Sequence, residues 1–143
     1  MSDFYVEIGQ TFTFSKTVSE SDVYLFAGIT GDLSPNHVDE EEMKNTPYGG
    51  RIAHGALLVG YMSSCSTKAG EATRADAPEV PVSVGYDKVR FLKGVRIGDT
   101  ITITYKIAKI DLAKRRSYAD IEVRTQTGDL AAVATHIQQW VAR

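Results

Sequence analysis

One long amphipathic pattern, followed by strand patterns to the end of the chain, constrains the fold more than any other feature of the sequence. Between residues 54 and 69, apolar side chains recur at helical spacing and form one face, Leu57, Leu58, Tyr61, Met62 and Cys65. The opposite face carries small residues, Ala56, Gly60, Ser63 and Thr67. The pattern predicts a helix that a sheet covers on one side, while another element approaches its small face closely.

Alternating apolar and polar residues predict strands on both sides of this helix. An early strand, 10–18, contains Phe12 and Phe14. After the helix, a loop (70–81) leads to four alternating runs, at 82–91, 101–107, 119–123 and 133–141. A change of phase near Asp87 and Lys88 indicates a β-bulge in the first of these runs. Because turn residues separate the runs, we expect a meander, and we predict an α+β fold in which a long antiparallel sheet wraps around one central helix.

The composition is that of an ordinary globular protein. With 143 residues, of which 43% are hydrophobic and 24% are charged, we expect one domain spanning residues 1–143. The formal net charge of -2 gives no reason to expect nucleic acid as a partner. Residues 51–143 nevertheless carry 14 of the 16 basic residues, so basic groups are available there for an anionic ligand.

The sequence argues against several classes of site and location. It contains one cysteine, so we expect neither an intrachain disulfide nor a cysteine-based metal site. No run approaches the length of about 18 apolar residues that a membrane-spanning helix needs. The first residues, Met1 to Phe4, lack the basic and apolar segments of a secretory leader. We therefore expect a reducing, cytoplasmic location, with no metal and no membrane partner.

The segment after the first strand brings an acid and a histidine together across a proline turn. Residues 19–22 have the form of a helix start, and glycines end that helix just before Asp32. Pro35 favours an extended conformation in the residue before it, and His37 follows two residues later. An acid and a base in one loop suit general acid–base chemistry, whereas the simpler interpretation is a turn aspartate and a surface histidine.

An acidic run follows this loop. Asp39 is a candidate N-cap for a second short helix, and residues 40–42, all glutamate, fall in its first turn. Acids are favoured there because the helix dipole is positive at that end. We interpret the run as a solvated helix start and not as a metal site.

A second histidine, His54, precedes Gly55 at the start of the central helix. The first backbone N–H groups of a helix are unpaired and carry partial positive charge, and a glycine lets a ligand oxygen approach them. Such a position suits a thioester carbonyl that gains negative charge during a reaction. The alternative is a plain tight turn into the helix.

Other reactive residue types have simpler interpretations. Ser63 lacks the Gly-x-Ser-x-Gly pattern of a nucleophilic serine, so we expect it to hydrogen-bond a neighbour. Cys65 falls on the apolar helix face as an inert core thiol, and His136 falls in the last strand. A basic cluster around the strand at 86–92 consists of Lys88, Arg90, Lys93 and Arg96. It forms either a solvated edge or a contact for the phosphates of a nucleotide-bearing cofactor tail.

Three stretches of the chain resemble the MaoC-like hydratases, the (R)-specific enoyl-CoA hydratase family. The strongest is Ala27–Asp39, which is similar to the family's motif of Gly-Asp, a proline and His-x-Asp. The second is Gly50–Leu58, Gly-Arg-Ile-Ala-His-Gly-Ala-Leu-Leu, which is similar to the start of the family's central helix. A weaker third stretch, Phe91–Thr100, resembles the family's strand, turn and Gly-Asp-Thr. The resemblance covers nearly the whole chain.

This resemblance implies a hot-dog fold and an enzyme that adds water reversibly across the C2=C3 bond of a 2-enoyl thioester. Asp32 and His37 would activate one water for syn addition, and the Gly55 N–H would polarise the thioester carbonyl. Coenzyme A would be the substrate carrier, and no other cofactor is expected. Ser63 matches a serine near the catalytic pair in some members. Since family members are dimers, often with the acyl site at the subunit interface, we expect a homodimer or a higher assembly of dimers.

The chain departs from the family's usual pattern at three positions. Ser34 stands where the family usually has asparagine, Asn36 where it has an aliphatic residue, and Gly94 where it often has proline. Asn36 puts an amide beside His37, where an apolar acyl tail would otherwise pack, so we expect a short or polar acyl chain. The expected substrate contacts are Asn36, His54, Ser63, Lys88, Arg90 and Lys93.

Two other functions compete with the hydratase. A hot-dog thioesterase could use the same helix N-terminus, but such enzymes generally place an acid on the central helix. This chain has no acid between Gly55 and Lys68. The other alternative is a non-catalytic acyl-binding or dimerisation module, against which the intact Asp32 and His37 argue.

Overall fold

Five antiparallel strands form one sheet in the computed structural model, which describes residues 4–73 and 75–143. The strands are β1 (Thr11–Thr17), β2 (Glu79–Phe91), β3 (Thr100–Asp111), β4 (Arg116–Thr125) and β5 (Leu130–Ala142). The helices of this part are α1 (Glu20–Thr30), α2 (Pro35–Val38), α3 (Glu40–Met43) and α4 (Gly55–Glu71). Residues 1–3 of the N-terminal stretch, and Arg74 in the loop predicted at 70–81, lie outside the described residues.

The sheet order is β1-β3-β4-β5-β2. Strands β3, β4 and β5 follow one another as predicted, but β2 pairs with β5 and not with β3. The expectation that the last four strands form a simple meander is therefore wrong for β2. The physical reason is that residues 92–99 do not form a tight hairpin. They connect β2, at one edge of the sheet, to β3, which lies beyond β5 and β4.

The long helix α4 packs against the sheet in one hydrophobic core, which confirms the predicted hot-dog arrangement. Its buried positions are Leu58, Tyr61, Met62, Cys65, Ser66 and Ala69. In β3, every second side chain is buried from Ile101 to Ile107, as the alternation predicts. The small face of α4 is exposed, since Ala56, Gly60, Ser63, Ser64 and Thr67 all reach solvent.

The single cysteine lies in the centre of this core. Cys65 is 0% exposed, and burial raises the pKa of its thiol to about 11. A thiol in this state is protonated near neutral pH and is therefore inert, as expected. No helix of the described part is long and apolar enough to cross a membrane.

The predicted helix starts are confirmed by their caps. Ser19 accepts from the N–H of Asp22, and the Asp22 carboxylate accepts from the N–H of Ser19, which forms a capping box. The Asp39 side chain accepts from the N–H of Glu42 at 3.1 Å at the start of α3. Helix α2 was not predicted, because Pro35 begins it: proline is tolerated at the first helical position, where its missing N–H has no intrahelical acceptor.

A β-bulge interrupts the pairing of β2 with β5 between Asp87 and Arg90, as the change of phase predicts. Lys88 has a φ of 53°, which is uncommon for a residue with a side chain. The bulge bends β2 just before Phe91, the residue that faces the start of α4.

Candidate active site

Asp32 lies in the short loop between α1 and α2. Gly31 ends α1 with a φ of 79°, a left-handed conformation that favours glycine, and donates its N–H to the Ala27 carbonyl. The Asp32 N–H donates to Thr30 Oγ1 at 3.2 Å, and Asp32 Oδ1 accepts from the Ser34 N–H at 3.3 Å. The Asp32 side chain remains exposed, so its carboxylate can meet water or a substrate.

His37 follows on α2 and is 8% exposed. Its Nδ1 donates to the carbonyl of Ile52 at 2.8 Å. This hydrogen bond places the proton of the neutral ring on Nδ1 and leaves the lone pair of Nε2 available to accept a proton. Next to it in the chain, the Asn36 Oδ1 atom is buried and has no hydrogen-bond partner among the described residues.

His54 lies behind His37. The two rings are stacked, with centroids 3.8 Å apart and planes inclined by 25°. The His54 Nε2 donates to the backbone carbonyl of Asp32 at 2.9 Å, and the ring of Phe26 packs at 4.7 Å from the His54 ring. At 1% exposure, His54 is sealed from solvent.

Asp32, His37 and His54 each offer a possible metal ligand, and these atoms lie within 4.8 Å of one another. Ring stacking nevertheless works against a shared ion. A histidine binds a metal in the plane of its ring, and the planes of His37 and His54 run side by side, so their lone pairs do not converge. The arrangement suits proton transfer better than metal ligation.

Gly55 is the first residue of α4, so its N–H has no acceptor within the helix. The aromatic ring of Phe91 closes in on this residue, since a Cβ atom at position 55 would lie 2.6 Å from Phe91 Cε2. The close approach explains why glycine stands here. The first residue of α4 therefore lines the same cavity as His37 and Phe91.

A cavity of about 850 Å³ opens beside these groups. Its wall near the helix N-terminus includes Asn36, His37 and Gly55. Apolar side chains continue the wall, namely Pro47, Tyr48, Ile52, Ala53, Leu58, Phe91, Leu92 and Val95. The polar side chains of the wall are Lys93, Arg96, Asp99, Thr125, Gln126, Thr127 and Asp129. The cavity wall therefore combines apolar groups, polar groups of both charges and the histidine.

The structure brings only some of the predicted substrate contacts to this cavity. Asn36 and Lys93 line it, and Lys93 forms an ion pair with Asp129. His54, Ser63, Lys88 and Arg90 are absent from its described wall. Lys88 and Arg90 point to solvent on β2, which agrees with the alternative of a solvated edge.

Ser63 lies on the exposed face of α4, away from the Asp32 and His37 pair within this chain. Burial raises the pKa of Tyr86, and the nearby Ser63 side chain opposes that rise. The Tyr86 hydroxyl is buried without a hydrogen bond of good geometry among the described residues. Ser63 therefore belongs to the α4 and β2 surface in this structure.

Arg51 has a structural role that the sequence did not reveal. Its guanidinium forms ion pairs with Glu20 of α1 and Glu40 of α3 and donates to Tyr24 Oη at 2.9 Å. The backbone and side-chain hydrogen bonds from Arg51 lower the pKa of Glu40. Arg51 thus ties α1 and α3, which precede and follow the segment with Asp32 and His37, to the strand-like segment that carries Ile52.

The assembled groups support one kind of chemistry. An exposed carboxylate and a histidine with a free Nε2 lone pair can exchange protons with a bound water. The unpaired N–H at the start of a 17-residue helix can stabilise an oxygen that becomes negative. Together these groups suit addition or removal of water next to a carbonyl.

Comparisons with known proteins give the family that the sequence motifs resemble. The model of the MaoC like domain matches residues 3–129. The chain is 39% identical over 102 residues to an "(R)-specific enoyl-CoA hydratase" from Rhodospirillum rubrum, covering 71% of this chain and 66% of that protein. It is 36% identical over 113 residues to a "3-hydroxybutyryl-CoA dehydratase" from Methylorubrum extorquens, covering 78% of this chain and 67% of that protein.

Solved structures agree on the fold. An (R)-hydratase from A. caviae superposes with a TM-score of 0.82 at 23% identity, covering 94% of this chain and 96% of that one. The chain spans about two thirds of the length of the two curated relatives. Since the family model covers residues 3–129, the chain belongs to the MaoC-like domain family.

Proposed function

We propose that this protein is a hydro-lyase that adds water reversibly across the C2=C3 bond of a 2-enoyl thioester. The observation that carries the proposal is that Asp32, His37 and His54 lie within 4.8 Å of one another at the start of α4, where His37 and Gly55 line the cavity. The names of the two curated relatives, a hydratase and a dehydratase of acyl-CoA, support the same reaction.

In the hydration direction, the thioester carbonyl accepts a hydrogen bond from the Gly55 N–H. Water held between Asp32 and His37 attacks C3 and gives a proton to this pair, while the C2=C3 electrons move toward the carbonyl and form an enolate. The positive end of the helix dipole stabilises the enolate oxygen. The pair then returns a proton to C2, so its charge is unchanged after one turnover.

The cavity supports a coenzyme A thioester with a short or polar acyl group. Lys93 and Arg96 on the cavity wall would face the phosphate-bearing part of the carrier. Asn36 puts an amide on the same wall beside His37, where a polar acyl group could form hydrogen bonds. An aliphatic tail would offer this amide no partner.

The active assembly in this proposal is a homodimer. Strand β2 is an edge of the sheet, and its Val82 and Val84 side chains are 46% and 51% exposed. The adjacent small face of α4 would let another chain approach its backbone closely. A second copy would satisfy the open edge of β2 and cover this apolar surface.

The proposal is tested by following the absorbance of the enoyl-thioester conjugation with crotonyl-CoA and a panel of short, branched and polar 2-enoyl-CoAs. We expect the absorbance to fall without release of free thiol, and we expect Asp32→Asn to lower kcat by about 10²-fold or more. Glu41→Gln, which changes a nearby exposed acid, is the matched control and should retain activity.

Other outcomes would redirect the assignment. Release of free thiol would indicate a thioesterase. Binding of acyl-CoA without turnover of any thioester in the panel would indicate a non-catalytic module. Best turnover on medium or long apolar chains would contradict the part of the proposal that concerns Asn36.

A further inference from the structure

His54 is buried behind the proposed catalytic pair and is not part of the described cavity wall. It nevertheless contacts both members of that pair, through a hydrogen bond to the Asp32 backbone and a stacked ring against His37. His54 was expected to contact the substrate, but its burial and its contacts with both groups indicate another role.

We infer that His54 is a positioning residue for this reaction: it fixes the position of the Asp32 loop relative to the His37 ring. The inference rests on the proposed function, because the two groups that it aligns are the proposed acid–base pair. It assigns to the Nε2–H of His54, and not only to its ring, a measurable effect on the rate of water addition.

The hydrogen bonds of the Asp32 loop show why an external support matters. Within four residues of the chain, the Asp32 N–H donates to Thr30 and its Oδ1 accepts from Ser34, at 3.2 and 3.3 Å. The bond from His54 is shorter, at 2.9 Å, and comes from a residue 22 positions away. It therefore ties an exposed loop to the buried start of α4, which sets where the Asp32 carboxylate stands relative to the Gly55 N–H.

The two ring nitrogens of His54 differ in their contacts. Its Nε2 donates to a carbonyl, while its Nδ1 is buried and has no partner among the described residues. The hydrogen bond to the carbonyl places a ring proton on Nε2. The ring itself stacks on that of His37.

Three substitutions separate the donor from the ring. His54→Gln places an amide N–H near the position of Nε2 but removes the ring. His54→Asn has the same chemistry but is one methylene shorter, so its amide cannot reach the Asp32 carbonyl. His54→Phe keeps a ring that can stack on His37 and has no donor.

The measurement is kcat and KM for hydration of the best enoyl-CoA by each variant. We expect kcat to fall by about 10²-fold in the Asn and Phe variants and by about 10-fold in the Gln variant, because small misplacements of catalytic groups have large effects on rate. We expect KM to change by less than about twofold in all three, since His54 does not touch the substrate. A purely structural residue would not show this rescue by glutamine.

Two results would overturn the inference. One is equal kcat in the Gln and Asn variants, which would show that the donor is irrelevant. The other is a rise in KM at unchanged kcat, which would make His54 a substrate contact.

Amide hydrogen exchange provides a readout that does not depend on activity. Exchange in residues 31–34 should be faster in the Asn and Phe variants than in the wild type, and close to wild type in the Gln variant. If the wild-type protein hydrates no thioester but this pattern holds, the proposed function fails and the structural part of the inference stands. Unchanged exchange in all variants would refute the positioning of the loop.

Discussion

At the scale of single residues, Gly55 is required by a neighbouring side chain. The ring of Phe91 occupies the place where a Cβ at position 55 would lie, at 2.6 Å from Cε2. Phe91 is 54% exposed and also lines the cavity, so a displaced ring has space that a ligand would use beside it. The absence of a side chain at position 55 thus leaves room for this ring beside the cavity.

Gly55→Ala should therefore impair substrate binding without removing the N–H. We expect KM to rise by roughly tenfold, equivalent to ~1.4 kcal/mol, because the displaced Phe91 ring crowds the cavity. Steady-state kinetics of the variant would measure this.

The smaller side chain of Phe91→Leu should restore much of the loss when it is combined with Gly55→Ala. Phe91→Leu alone serves as the control. An unchanged KM in Gly55→Ala would mean that the ring moves without entering the binding space.

The sequence suggested that the acid and the two histidines belong to one candidate site, but not how their side chains are oriented. Asp32, His37 and His54 were singled out from their spacing, and the structure brings them together. The acceptor of the His37 proton is a backbone carbonyl at Ile52, which has no side-chain signature. Likewise, spacing could not show that the His54 ring faces the Asp32 loop and not the cavity.

At the scale of secondary-structure elements, polar contacts of the buried His136 join three strands. His136 of β5 hydrogen-bonds through Nδ1 to the Tyr105 hydroxyl of β3 and through Nε2 to the Ser83 hydroxyl of β2, each at 2.7 Å. The ring of Tyr86 stacks on His136 at 4.4 Å. Since His136 is 0% exposed, burial lowers its pKa to about 4.

This lowered pKa predicts that the fold loses stability in acid. Below pH 6.5 His136 is protonated in the unfolded chain, whereas in the folded chain it becomes protonated only near pH 4. The contribution to the free energy of unfolding is therefore complete above pH 6.5 and falls by up to about 3 kcal/mol by pH 4. Denaturant unfolding between pH 4 and 7 would measure the loss.

His136→Gln removes the titrating group and should flatten this part of the profile. Carboxylates whose pKa is lowered in the folded protein, such as Glu79, also make the fold less stable in acid. The difference between the wild-type and variant profiles therefore isolates the contribution of the histidine. Parallel profiles in the wild type and the variant would contradict the assignment.

The elements themselves were largely predictable, because their signals are local. The capping box at Ser19, the alternation in β3 and the bulge after Asp87 each require only neighbouring residues. Pro35 was used only to predict an extended conformation at Ser34, which the structure has, and its place at the first position of α2 was missed. The pairing of β2 with β5 depends on contacts between residues far apart in the chain, and alternation carries no information about such partners.

At the scale of the whole molecule, the proposed dimer through β2 and α4 has a direct test. Val84→Lys would place a charge on the open edge of the sheet, and we expect it to convert dimers to monomers in light scattering after size-exclusion chromatography. Leu112→Lys, at a position that is 51% exposed in the turn between β3 and β4, is the matched control. A monomeric wild-type protein, or a dimeric Val84→Lys variant, would rule out this interface.

The burial of Cys65 has a practical consequence for assays of this protein. Its thiol is the only one in the chain, lies at 0% exposure and has its pKa raised to about 11 by burial. A disulfide reagent that detects free coenzyme A will therefore report substrate cleavage with little background from the folded protein. Without substrate, the rate at which the same reagent modifies Cys65 measures how often the core opens, because the thiol becomes accessible when α4 separates from the sheet.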